Sequence, residues 1–242
     1  LTGNENADEI RSNSKKNTIY KSNKSGKWEE FGREWWSISR HEDGQQTLRA
    51  HCEIEPGVVA NRSVLRDVVY TFDKDFKPID CFNRLHSNGK FLGSGWINFT
   101  DDIAECEAIG LNFGRISQKR ILSEKALSLG AHPVSCDILH LTRFNHSLKQ
   151  KIQPQKNVWM TSREHDGCSG PILETISFDI EYSGKKSITV PAGTFECNHY
   201  KFLLSDHPTE ELWCTDDFLF IKISVGGYMA AEFDLVELEY DF

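Results

Sequence analysis

The sequence has 242 residues, of which 38% are hydrophobic and 26% are charged. This composition excludes a disordered chain, and no apolar run approaches the roughly 18 residues that a membrane-spanning helix requires. The 28 Lys and Arg residues against 36 Asp and Glu residues give a net charge of −8. Such a charge offers no general attraction to nucleic acid or to anionic membrane surfaces, so neither is predicted as a partner.

The first 26 residues are rich in Asn, Ser and Lys. They carry too few apolar side chains to offset the conformational entropy lost on ordering, and they predict a flexible N-terminal arm over residues 1–26. No Pro-, Gly- or Ser-rich linker divides the rest of the chain. Residues 27–242 are therefore expected to form a single β-barrel-like domain.

Short strands separated by turn residues are predicted from Trp28 onward. The clearest alternation places one apolar residue at every second position, in Leu48, Ala50, Cys52 and Ile54. Further strands follow at the spacing of an antiparallel meander, over residues 64–72, 79–86, 91–99 and 103–109. Gly93 and Gly95 within one of them predict a bulge or a sharp coiling that bends the sheet toward closure.

Helical signal is limited to residues 132–144, where Val134, Ile138 and Leu141 recur on one face. Part of this segment could instead form a lid over the concave face of the sheet. After it, Ile176, Phe178, Ile180 and Tyr182 alternate with polar residues, and residues 183–186 are predicted to form a turn. The pattern predicts an all-β fold, in which a strongly coiled antiparallel sheet forms a barrel or half-barrel with one short helix at its open side.

The run ITVPAGTFECNHY, from Ile188 to Tyr200, is similar to a motif of a known domain family. It resembles a largely uncharacterised bacterial domain family whose hallmark is a VPAGTF hairpin. The resemblance implies a curved half-barrel, similar in outline to lipoprotein-carrier proteins that hold acyl chains in a concave apolar face. Pro191 supplies a fixed φ and Gly193 a permissive one, so the motif is structural and implies no catalytic residue.

The seven cysteines are an odd number and show no CxxC spacing. Cys52 and Cys197 lie in strand-like segments, where Cys usually packs as a small hydrophobic side chain. Reduced thiols predict a cytoplasmic protein. A periplasmic protein is the alternative, because the chain begins with Leu1 where an initiator methionine would stand.

Motifs for phosphate or dinucleotide binding are absent, as are GxSxG and HExxH, and no cofactor is predicted. His132, His140 and His146 are the closest grouping of histidines, at spacings of eight and six residues. These spacings fit no common metal-ligand motif, and no metal is predicted.

One strand carries the first candidates for acid–base chemistry. Arg84 and His86 share a face by period two, and Tyr70 lies across the predicted hairpin. His86 is the first choice, because it precedes a turn and would lie near a barrel rim, where a partly desolvated imidazole stays neutral. The alternative is that this face is solvated and that Cys81, Asn83 and Leu85 point inward.

Two further candidates lie elsewhere in the chain. His140 belongs to the helical segment, and His165 precedes Asp166 in a glycine-containing loop that could border a pocket. The alternative for the loop is an ordinary turn built from Asp and Gly.

Three functions remain open. Binding of a hydrophobic small molecule in a concave pocket is favoured, because a sheet rich in Trp and Phe offers apolar walls and no catalytic signature is present. The second is a cofactor-independent lyase, isomerase or hydrolase acting on a hydrophobic or aromatic substrate, with the five candidates as its acid and base. The third is a structural or interaction protein, and a homodimer is left open.

Overall fold

The computed structural model describes residues 14–24, 26–57 and 61–239. These residues form fifteen strands and a short helical segment between the ninth and tenth. The strands are β1 (Ser14–Lys24), β2 (Lys27–Arg40), β3 (Gln46–Ile54), β4 (Val64–Phe72), β5 (Pro78–Ser87), β6 (Lys90–Phe99), β7 (Ile103–Gly110), β8 (Gly114–Ile121), β9 (Leu129–Gly130), β10 (Ile152–Met160), β11 (Glu174–Val190), β12 (Gly193–Leu203), β13 (Glu210–Cys214), β14 (Phe220–Val225) and β15 (Ala231–Leu238).

All of these strands belong to one sheet, in the order β8-β7-β6-β5-β4-β3-β2-β1-β15-β14-β13-β12-β11-β10-β9. Strands β1 to β8 form one antiparallel meander and β10 to β15 form another, while β9 pairs with β10 in parallel. Strand β1 pairs with β15 and joins the two meanders. The predicted antiparallel, strongly coiled sheet is confirmed.

Strand β1 lies within the stretch that was predicted to be a flexible N-terminal arm. Its backbone pairs with β2 on one side and with β15 on the other, and Thr18 and Tyr20 are buried. The prediction of a flexible arm is wrong for residues 14–24, because it used average composition, whereas a strand needs only alternate side chains inside. Residues 1–13 lie outside the described residues.

The sheet curls into a half-barrel that is not closed by strand pairing. At the gap, the Gln118 side chain on β8 donates to the Leu173 carbonyl at 3.3 Å and accepts from the Leu173 N–H at 2.8 Å. Leu173 belongs to the segment between β10 and β11. This segment covers the inner side of the gap and supplies part of the pairing that a closing strand would supply.

Gly93 and Gly95 leave space on β6 for the segment between β10 and β11. A Cβ on Gly95 would lie 2.7 Å from the Ala108 side chain and 2.9 Å from Pro171, so only glycine lets Pro171 approach the inner face of β6. The predicted bulge lies directly beside these glycines, since Leu85 pairs with Gly93 and His86 with Phe91, which leaves Leu92 as the extra residue of β6.

The predicted helix over residues 132–144 is present in a shorter form. Val134–Asp137 form the α-helix α1, and Ile138–Arg143 continue it as a 3-10 helix. Ile138, Leu139 and Leu141 are buried against the core. The segment therefore plugs the concave side of the sheet and forms part of the core.

Glu34 on β2 holds this segment in place. Its buried carboxylate accepts from the N–H groups of Val134 at 2.9 Å and Ser135 at 3.4 Å, and from the Ser135 hydroxyl. The Tyr20 hydroxyl donates to the same carboxylate at 2.5 Å. Burial raises the pKa of Glu34 in spite of these donors. One acidic side chain thus satisfies the first N–H groups of α1 inside the barrel.

The predicted turn at residues 183–186 is wrong. Strand β11 runs through this stretch, and its register against β12 shifts between Tyr182 and Gly184. Gly184 has a φ of 97°, so the glycine permits a bulge in place of a turn. The following hairpin forms where it is predicted, since Val190 pairs with Gly193 around Pro191 and Ala192.

All seven cysteines are buried free thiols. Burial raises the pKa of each of them, for instance that of Cys168 to about 11. They pack as small apolar groups and carry no nucleophilic thiolate. Among the helices of the described residues, none has the length and apolar character to cross a membrane.

Replacing Glu34 by Ala is expected to lower the free energy of unfolding by about 2–4 kcal/mol, because the Val134 and Ser135 N–H groups and the Tyr20 hydroxyl lose their buried acceptor. Urea denaturation measures the change. Glu29→Ala, at an exposed position of the same strand, is the control and should change stability by less than about 0.5 kcal/mol. Equal effects of the two substitutions would contradict the role of Glu34.

Candidate functional site

A cavity of about 200 Å³ lies inside the curled sheet. It is found near the ends of β3, β12 and β14, where the loops before β11 and β13 approach each other. Much of its wall is apolar, formed by Ile54, Met160, Ile176, Phe178, Phe202 and Phe233. The aromatic side chains on facing strands make a concave surface of the type that holds small apolar molecules.

Ionisable side chains form the rest of the wall. Arg66 on β4, His132 before α1 and Asp137 within α1 contribute to this part of the wall. Glu210 on β13 also contributes to it. The cavity therefore combines an apolar part with a set of buried donors and acids.

Arg66 is the largest fully buried side chain and is 1% exposed. Its Nη2 donates to the Asp166 carbonyl, and its Nε has no hydrogen-bond partner. The Asp166 carboxylate itself is bound by Arg62 at 2.9 Å and accepts from the Cys168 N–H at 2.8 Å. These contacts hold the loop carbonyl against Arg66 but leave the guanidinium without a carboxylate partner among the described residues.

Gly167 permits this close approach. A Cβ at this position would collide with the Arg66 guanidinium, and the φ of Gly167 is 73°, in the left-handed region that favours glycine. The glycine-containing loop at residues 163–171 is thus an ordered wall of the cavity.

His132 lies next to Arg66 and adopts a φ of 73°. Burial, and then the charge of Arg66 and the neighbouring His165, hold the pKa of His132 well below its usual value. The ring is therefore neutral near pH 7. Its Nε2 is buried and has no hydrogen-bond partner among the described residues.

Asp137 and Glu210 form an acidic pair in the same cavity. Burial, and then the Glu210 and Glu34 carboxylates, raise the pKa of Asp137 well above its usual value. Burial raises the pKa of Glu210 to about 7. Both carboxyls therefore hold their protons to a higher pH than ordinary carboxyls do.

Two stacked histidines lie beside this pair. The rings of His165 and His207 are 4.3 Å apart at an angle of 40°. His207 Nδ1 is 3.2 Å from Glu210 Oε1. Burial, followed by the proximity of His165, lowers the pKa of His207. His165 is exposed, so the stack connects the acidic pair with the solvent side.

Two of the five predicted site residues line the cavity, namely His140 and His165. His140 Nδ1 is 2.8 Å from the Ser128 hydroxyl, and its ring packs edge-on against Phe178. Burial lowers the pKa of His140 to about 3, so this ring is neutral. His140 is a wall residue whose proton-transfer role stays a prediction.

The structure does not bring Tyr70 together with Arg84 and His86. Tyr70 is fully buried and pairs with Cys81, which points inward. Arg84 lies on the outer face, with its guanidinium 5.1 Å from the centre of the Phe91 ring. His86 lies on the same outer face, 6.0 Å from that ring.

The face of β5 that carries Arg84 and His86 is therefore turned outward. This is the alternative that the sequence left open. Cys81, Asn83 and Leu85 are buried, whereas Phe82 is 42% exposed. Residues directly opposite each other in a sheet share a face. Tyr70 pairs with Cys81 and therefore lies on the inner face, opposite to the face of Arg84 and His86. The expectation that Tyr70, Arg84 and His86 converge on one pocket is wrong for this reason.

The sequence patterns do not single out Arg66, Asp137 and Glu210 as site residues. A signal exists for Arg66, because it alternates with Val64 and Val68 on the apolar face of β4. A charged residue at such a position is buried and needs a partner or a function. Glu210 and Leu212 share a face in the same way at the start of β13.

Metal binding has no evident site in the part of the chain that the structure describes, where no three His, Cys, Asp or Glu side chains are grouped as ligands. His146 lies apart from the cavity, with its Nε2 2.9 Å from the Tyr200 hydroxyl.

The fold is similar to that of a solved beta-barrel-like protein of domain of unknown function DUF1849 from Brucella abortus. The TM-score is 0.59 and the identity 8%, over 96% of this chain and 98% of that chain. This likeness shows the fold alone. A DUF1089 family protein from Pseudomonas aeruginosa gives a TM-score of 0.42 at 13% identity, over 81% of this chain and 90% of that chain. No family model matches the sequence, nor does any curated protein.

Glu210 makes stability depend on pH. Its folded-state pKa of about 7 exceeds the unfolded value of about 4.3. Between these two pH values, Glu210 holds its proton in the folded state and has lost it in the unfolded state. The free energy of unfolding therefore falls as the pH rises through this window.

We expect the free energies of unfolding of Glu210→Gln and of the wild type to be closer at pH 5 than at pH 8. At pH 8 the variant should be more stable by about 1–3 kcal/mol. Urea denaturation at both pH values measures this difference. Glu196→Gln, at an exposed position of β12, is the control and should follow the wild type. A stability difference that is the same at both pH values would contradict the raised pKa.

Proposed function

We propose that the protein binds a hydrophobic small molecule in the cavity inside its half-barrel. The observation that carries this proposal is an internal space of about 200 Å³ with aromatic and aliphatic walls. A cavity of about 150 Å³ with such walls holds a benzene molecule, so this one has room for one ring or a short chain.

The architecture supports the proposal. A curled antiparallel sheet encloses one ligand when its interior is not filled by its own side chains. Here the helical segment fills the interior only in part, and the loops before β11 and β13 border the space that is left. Binding also requires few residues of defined chemistry, which agrees with the lack of a catalytic motif in the sequence.

Acid–base catalysis is the second candidate, and Asp137 with Glu210 favours it. Two carboxyls with raised pKa values in one cavity can hold a proton and release it near neutral pH. Adding an excess of the ligand recovered from the protein distinguishes the candidates. Recovery of the compound unchanged supports binding. Conversion that is lost in both Asp137→Asn and Glu210→Gln would support catalysis instead.

A reducing compartment fits the seven buried free thiols, and cytoplasmic location stays a proposal on this basis. A homodimer also stays a prediction. The surface available for it is a cross-strand row on the outer face, where Val69, Phe82 and Trp96 are exposed neighbours.

Filling the cavity should abolish binding. Ile176 lines the cavity from β11. In Ile176→Trp the indole should take the place of the ligand. No small molecule should then co-purify with the variant, and toluene binding should weaken at least about tenfold. Native mass spectrometry and ligand-observed NMR measure the two effects.

Ile152→Trp is the matched control, since Ile152 is 48% exposed on the neighbouring strand. It should leave both measurements unchanged. Undiminished toluene binding in a folded Ile176→Trp variant would show that the cavity is not the binding site.

A further inference from the structure

The polar side of the cavity presents hydrogen-bond donors that the protein does not use. Arg66 is fully buried and always charged, yet the structure records one hydrogen bond from its guanidinium, to the Asp166 carbonyl. Its Nε has no partner. Buried donors in native structures are nearly always satisfied, so unused ones in a cavity wall indicate a missing acceptor.

The charge of Arg66 is also unbalanced. A buried guanidinium normally pairs with a carboxylate, because an isolated buried charge costs several kcal/mol. The nearest carboxylate of the loop, that of Asp166, is bound by Arg62 at 2.9 Å. Burial raises the pKa of Asp137 and Glu210, and neither carboxyl forms an ion pair with Arg66 in the part of the chain that the structure describes. A ligand anion would supply the counter-charge that the described residues do not.

We propose that the ligand of this cavity carries an anionic head group of the carboxylate type, bound by Arg66, with its apolar body against Phe178, Phe202 and Phe233. This inference rests on the proposed binding function and adds the chemical class of the ligand. A planar guanidinium offers two parallel N–H groups to a carboxylate, which makes the contact both directional and charge-assisted.

The acidic pair then makes binding depend on pH. Protonated Asp137 and Glu210 tolerate an anion and can donate to it, whereas their ionised forms repel it. Anion affinity should therefore fall as the pH rises through the pKa of Glu210, which is about 7. The charged and titratable groups that surround this position lie on strands, on the helical segment and in the loops. They are Glu34 on β2, Arg66 on β4, His132, Asp137 and His140 beside or in the helical segment, and Arg163, Glu164, His165, Asp166, Asp206 and His207 in the loops.

Three probes of similar size separate the alternatives. Benzoate, benzamide and benzylamine share one aromatic ring and differ in head-group charge. Benzoate should bind at least about tenfold more tightly than benzamide at pH 6, since a hydrogen bond to a charged group adds roughly ten- to a hundredfold in affinity. Isothermal titration calorimetry measures all three. Tighter binding of benzylamine would instead assign the acidic pair as a cation site and overturn the proposal.

Substitution of Arg66 tests the contact directly. Arg66→Met should weaken benzoate binding roughly ten- to a hundredfold and change benzamide binding by less than about threefold. Arg49→Met is the control, because Arg49 is exposed on β3 and does not line this cavity. It should leave the benzoate preference intact. An equal loss for both probes in Arg66→Met would mean that Arg66 only supports the structure.

Measurements on Arg66→Lys and on the wild type keep the test decisive if Arg66→Met does not fold. Lysine keeps the charge but lacks the two parallel N–H groups of the guanidinium, so the variant should weaken benzoate selectively. Wild-type affinity for benzoate should fall several-fold from pH 6 to pH 8, and Glu210→Gln should remove most of this fall while His165→Gln should not. A pH-independent affinity would contradict the role of the acidic pair.

The outcomes distinguish this inference from the proposed function. Equal binding of all three probes, lost in Ile176→Trp, would keep the cavity as a binding site and reject the anionic head group. If none of the probes binds and no small molecule co-purifies with the wild type, both proposals fail together.

Discussion

The interaction between Glu34 and the start of α1 determines what the half-barrel contains. An open, curled sheet leaves a concave apolar face that must be covered, and here the chain covers it with its own residues 126–144. That segment brings unpaired N–H groups into the core, which is tolerable only if they find an acceptor. Glu34, with Tyr20 beside it, supplies that acceptor from the sheet itself.

The same contact sets the position of the cavity. With α1 held at its N-terminus, Asp137 lines the same cavity as Glu210, and the 3-10 turn that follows places His140 against Phe178. The plug ends before it fills the region under the loops at 161–173 and 204–209. The space that remains therefore combines a wall from the helical segment, which is polar, with walls from the strands, which are largely apolar.

Polar residues on the inner face explain both the success and the failure of prediction from sequence. Alternation identified most of the strands, because burying one face of a sheet leaves a period-two pattern. The same reasoning placed Arg84 and His86 in a pocket, although Cys81 and Leu85 form an equally good inner face. Arg66 and Glu34 were the informative positions, since each interrupts an apolar face with a charge. A charge in such a place is costly unless something compensates for it.

The sequence by itself determined the all-β class, the antiparallel meanders, the hairpin at Pro191 to Gly193 and the existence of one helical segment. These depend on local patterns and on the backbone preferences of Pro and Gly. Tertiary structure alone decided that β1 joins β15, that the helical segment enters the barrel, and that Arg66, His132, Asp137 and Glu210 share one cavity. Those contacts join residues far apart in the chain, and which of them form depends on how the sheet curls and on which buried charges find partners.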